Sequence, residues 1–169
     1  MAQLLVVGHG RVADPLGIYL REALPNDYLV VANPVVCRQE IAAVVVGPAG
    51  VTVIDVEEAP PADTDAPVAE AHSLQAVRRF LAEEFGALRL PVFHFRAAAP
   101  PVRVTNWAVK ELATWRVIEP ADAAGQELAQ AIAALPVNAE CALADPVLRE
   151  QIAIAFRDRQ ISPWQRTSR

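Results

Sequence analysis

The sequence predicts an α/β domain with a mixed central sheet flanked by helices. Three observations carry that class. Residues 40–47 (EIAAVVVG) and 50–58 (GVTVIDVEE) are β-branched runs on either side of Gly47-Pro48-Ala49-Gly50, the strongest hairpin signal in the chain. Segments with helical apolar spacing stand before and after that hairpin, at 14–24 and 73–88. Extended and helical runs then keep alternating, so an antiparallel hairpin sits among crossover helices, and the sheet must be of mixed direction.

The elements follow in order. Residues 3–7 (QLLVV) form a short strand or a buried lead-in. In 14–24, Asp14 is placed to cap, Pro15 suits the first helical position, and Leu16, Tyr19, Leu20 and Leu24 share one face. Pro25-Asn26-Asp27 ends that helix, and 28–36 (YLVVANPVV) is extended. After the hairpin, the Pro- and acid-rich stretch 59–72 is a loop. The helix 73–88 has Ser73 as its cap and a stripe of Leu74, Val77, Phe80, Leu81 and Phe85. Strands are expected at 90–97 and 102–106, a helix at 107–115 and an extended piece at 116–120. Amphipathic helices close the chain at 124–136 and 145–160, the second with Asp145 capping and Pro146 at its first position; 161–169 reads as a tail.

With 169 residues, 53% of them hydrophobic, the chain can bury one real core. No apolar run approaches the ~18 residues of a membrane span. The start, MAQLLVVGHGRVAD, lacks a basic segment ahead of its short apolar run, which argues against a signal peptide. Cys37 and Cys141 make neither a disulfide framework nor a zinc-ligand spacing. The expectation is a cytoplasmic, reduced protein. A net charge of −5 argues against a domain that grips nucleic acid through its whole surface. The 15 basic residues are arginines except for Lys110, so any mechanism that needs a lysine must use Lys110.

Two local patterns bear on chemistry. Gly8-His9-Gly10-Arg11-Val12-Ala13 fits a loose dinucleotide fingerprint. The context fails it: few strand residues precede it, Pro15 interrupts the phosphate helix, and no ribose-binding acid closes the next strand near Asn33. It reads as a glycine turn before a helix. His9, His72 and His94 are too scattered in sequence for a metal cluster. The second pattern is acidic. Asp55 and Glu57 lie two apart on one strand and so share a face. If the turn pairs Val46 with Val51, Ala42 falls opposite Asp55 and Glu40 opposite Glu57. Glu40, Asp55 and Glu57 would then share a patch that solvent, a proton or a hard divalent cation must relieve.

The run VADPLGIYLREALPNDYLVVANPVV…QEIAAVVVGPAGVTVIDVEEA…SLQAVRRFLAEEF…LPVFHFRA…WAVKELATW resembles the nuclease-related (NERD) domain of the restriction-endonuclease-like PD-(D/E)XK superfamily. The likeness spans roughly residues 12–135 and is most specific over EIAAVVVGPAGVTVIDVE. It implies a restriction-endonuclease-like sheet and a site built from a helix acid, a strand Asp, a third-strand acid and a Lys two residues on. In active relatives the acids hold Mg²⁺, and the lysine orients water and stabilises the phosphorane. Here Asp14 stands at the helix position, Ala42 at the metal-binding Asp, Asp55 at the third-strand acid, and Glu57 at the lysine; Gln75 is retained on the next helix.

Ala42 removes a ligand, and Glu57 sets a carboxylate against the scissile phosphate. Six acids (Asp55, Glu57, Glu58, Asp63, Asp65 and Glu70) crowd 55–70 with no Arg or Lys among them. The expectation is a degenerate nuclease-related domain that does not cleave and needs no cofactor. It would act as a binding or assembly module in a bacterial DNA-processing or defence context. Its organisation would be a nuclease-fold domain at 1–136, a helical extension at 137–160 and a tail at 161–169. The alternatives are a Mg²⁺-dependent nuclease using Glu40, Asp55 and Glu57, and a structural protein that oligomerises through helices 124–135 and 146–156. A basic stretch with Trp164 (Arg149, Arg157, Arg159, Arg166 and Arg169 against Glu150 and Asp158) could reach nucleic acid, but burial of an aromatic anchor favours a protein partner or a second copy. No membrane partner is expected.

Overall fold

A computed structural model describes residues 1–6, 13–57, 72–86, 88–98, 116–118, 128–137 and 140–158. It is mixed α/β. The strands are β1 (Gln3–Val6), β2 (Leu29–Ala32), β3 (Val35–Val36), β4 (Gln39–Glu40), β5 (Ala43–Gly47), β6 (Gly50–Glu57), β7 (Val92–Ala98) and β8 (Arg116–Ile118). The helices are α1 (Ala13–Ala23), α2 (His72–Phe85), α3 (Leu128–Ala133) and α4 (Pro146–Asp158), with a 3₁₀ turn at Ala142–Ala144. The described strands form a six-stranded sheet in the order β1-β2-β5-β6-β7-β8, and β3-β4 pair separately. β1 runs parallel to β2 and β6 parallel to β7, while β2–β5, β5–β6 and β7–β8 are antiparallel.

Strand alternation sends side chains to two cores. On one face, Leu16, Tyr19 and Leu20 of α1, with Leu24 just beyond its end, meet Val30, Val45 and Ile54, joined by Leu128 and Ile132 of α3. On the other, Val77, Phe80 and Leu81 of α2 meet Val44, Val46, Val51 and Val53, joined by Leu143 and by Ile152, Ala153 and Phe156 of α4. Phe80 and Phe156 stack at 4.6 Å between centroids, tying α2 to α4. The apolar faces of the last two helices, expected to be open for a partner, are thus spent on the sheet. α4 is part of the layer that covers β2 and β5.

The hairpin closes as expected, with Val46 opposite Val51 and Gly47 opposite Gly50. Gly50 has φ +155° and a Cβ there would lie 2.5 Å from the Pro91 carbonyl oxygen, so the turn requires glycine. The run 28–36, expected as one strand, is broken. Asn33 takes a positive φ of 57° and Pro34 has no N–H to continue a ladder. The chain leaves the sheet as β3, turns through Cys37 and Arg38 (φ 48° and 68°), and returns as β4. The Asn33 N–H donating to the Ala42 carbonyl (3.1 Å) and the Ile41 N–H donating to Pro34 (3.0 Å) close the base of this excursion.

The expected elements at 102–106 and 107–115, the glycine motif at 8–12, the acidic loop 58–71 and the tail 161–169 with Trp164 lie outside the described residues. No described helix is long and apolar enough to cross a membrane.

Candidate functional site

Asp55 stands on β6 with the same parity as Val51 and Val53, so its side chain leaves the sheet on the α2 face. There its Oδ2 meets two partners. The hydroxyl of Ser73, in the first turn of α2, donates to it, and the His94 Nε2 lies 2.7 Å from it. Ser73 is 3% exposed. The side chains of His94 and Asp55 keep 16% and 26% of their surface, so the cluster sits at the edge of the core rather than inside it.

Topology brings the three together. β6 and β7 are parallel, with Val53 opposite His94 and Asp55 opposite Arg96, so Asp55 and His94 are diagonal neighbours on one face. The connection between these strands carries α2 across that same face and delivers Ser73 at its start. An ionised carboxylate only accepts, which suits two donors on one oxygen. A neutral His94 must then carry its proton on Nε2. The positive end of the α2 dipole adds a favourable field for the Asp55 charge.

This arrangement is not a nucleophilic triad. The Ser73 hydroxyl donates to the carboxylate, whereas a serine nucleophile needs an imidazole to take its proton. It is an internally satisfied acid that ties β6, β7 and the start of α2.

The residues singled out from the sequence fall as follows. Asp55 is at the centre of the cluster. Ala42 lies one position before the first rung of the β5–β6 ladder, level with Asp55, and packs half-buried against the α1-side core. Glu40 does not join them: it pairs with Val35 in the β3–β4 excursion and is exposed, because the break at Asn33-Pro34 removed it from the strand that faces β6. Gln75 does not face the site either. It is exposed, since two residues on a helix turn about 200°, and the turn that aims Ser73 at the sheet aims Gln75 at solvent. Asp14 lies within α1 and Glu57 at the end of β6; their side chains lie outside the described residues. Among the described residues no three His, Cys, Asp or Glu side chains come together as a metal site.

Ser73 and His94 are the site residues that sequence reasoning missed. Ser73 was expected as a helix cap; α2 begins at His72, and the hydroxyl is turned to Asp55. The available signal was His94 itself, a polar residue between Phe93 and Phe95, with the strand order needed to place it beside Asp55.

The basic C-terminal stretch is partly structural. Arg149 is 8% exposed and its Nη1 donates to the carbonyls of Leu143 and Ala144 at 2.7 and 3.2 Å, holding the 3₁₀ turn. Arg157 pairs with Asp158 at 3.0 Å. A shallow depression of about 380 Å³ lies at the far end of α2, rimmed by Arg78 and Arg89 over Leu81, Leu90 and Val92. Comparisons with family models, with curated proteins and with solved structures return no match to this chain.

Proposed function

We propose that the chain is a catalytically silent nuclease-related domain that serves as a binding or assembly module. The observation that carries this reading is the engagement of the Asp55 carboxylate by Ser73 and His94. A third-strand acid that holds Mg²⁺ offers its oxygens to the ion; here a metal at Oδ2 would have to displace two donors. At the level of Asp55, Ala42 supplies a methyl group to a core instead of an oxygen to a cation. Glu57 stands two residues on, where the resemblance calls for a lysine to stabilise a phosphorane. The helix–hairpin–helix–strand order on which the resemblance rests is present as α1, β5–β6, α2 and β7, in a mixed sheet flanked by helices. That layout supports a restriction-endonuclease-like fold with its chemistry removed. The position of Glu40 on the β3–β4 excursion counts against a nuclease rebuilt from Glu40, Asp55 and Glu57.

The test is cleavage of supercoiled, linear and single-stranded DNA and of RNA with Mg²⁺ or Mn²⁺. The expected result is no product above a buffer control. Metal-dependent cutting that disappears in Asp55→Ala would overturn the reading in favour of the Mg²⁺ nuclease. Recovery of cutting in Ala42→Asp/Glu57→Lys would support loss of function from an ancestral site.

A further inference from the structure

We draw no further inference here: the strongest candidate, the shallow depression at the far end of α2 that Arg78 and Arg89 rim over Leu81, Leu90 and Val92, carries nothing, because it lies at the carbonyl end of a helix that also bears Glu83 and Glu84, which offsets the two arginines and leaves nothing in the structure to show what covers it.

Discussion

Asp55→Ala distinguishes a structural acid from a metal-binding one by the sign of its effect on stability. The substitution leaves the Ser73 hydroxyl, 3% exposed, without its acceptor, which costs about 1–3 kcal/mol. His94 loses a hydrogen bond to a charged group as well. That contribution is discounted to about 1 kcal/mol because the Asp55 side chain keeps 26% of its surface and water can replace part of the bond. The two losses share one oxygen and are not additive, so the total is about 2–3 kcal/mol. At this chain length that lowers the thermal midpoint by roughly 5–10 °C. Thermal and urea unfolding followed by circular dichroism measures it, with Ser73→Ala as a milder companion losing about 1 kcal/mol. An acid held open for a metal behaves in the opposite way: removing it relieves an uncompensated charge and leaves stability unchanged or raised. A neutral or stabilised Asp55→Ala would therefore refute the account of Asp55 as an internally satisfied carboxylate.

Three further outcomes follow from the packing. Gly50→Ala forces a left-handed backbone and a Cβ 2.5 Å from the Pro91 carbonyl oxygen, and should cost about 2–3 kcal/mol in urea unfolding, more than an ordinary hairpin substitution. Phe156→Ala empties a fully buried position stacked on Phe80 and should cost about 3–5 kcal/mol, with loss of near-UV dichroism from that cluster. Tyr28 titrates above its ordinary value of 10.0, first because it is buried and then because Asp27 is close, with Arg149 pulling the other way. Its folded pKa is raised, so its contribution to stability is complete below pH 10.0 and is lost as pH rises through the higher folded value. Tyr28→Phe should flatten that alkaline fall in a pH series of unfolding midpoints while leaving the neutral region within ordinary substitution noise.

Much of the fold was legible because the relevant signals are local. The hairpin register follows from a Gly-Pro-Ala-Gly turn between β-branched runs, and Val46 opposite Val51 needs nothing from elsewhere in the chain. The helices α1 and α2 follow from apolar spacing with proline or polar residues at their ends. The errors arise where local pattern and tertiary demand part. Residues 28–36 look like one strand, yet Asn33-Pro34 inside them is a break signal, and it decides where Glu40 ends up. The apolar stripes of α3 and α4 were visible, but amphipathicity does not say what a stripe faces. Leu128 and Ile132 turned to the α1 side of the sheet, Ile152 and Phe156 to the α2 side, and neither face was left for a partner.

The site was legible in part for a related reason. Asp55 could be singled out from its strand and from the resemblance, and its parity with Val51 and Val53 fixes the face it uses. Its partners could not, because they are 18 and 39 residues away and meet it only once a helix crosses the sheet and β7 runs parallel to β6. The same crossover explains why Gln75 failed as a site residue: the helix has one face to give the sheet, and Ser73, Ala76, Val77, Phe80 and Leu81 fill it. A glutamine acting beside Asp55 would need α2 rotated by about half a turn, which would expose that apolar stripe at a cost of several kcal/mol on the order of ~25 cal/mol per Å² exposed. The packing of α2 therefore fixes which polar group reaches Asp55, and it selects a buried hydroxyl that satisfies the carboxylate over an amide that could leave it open to a metal or a phosphate.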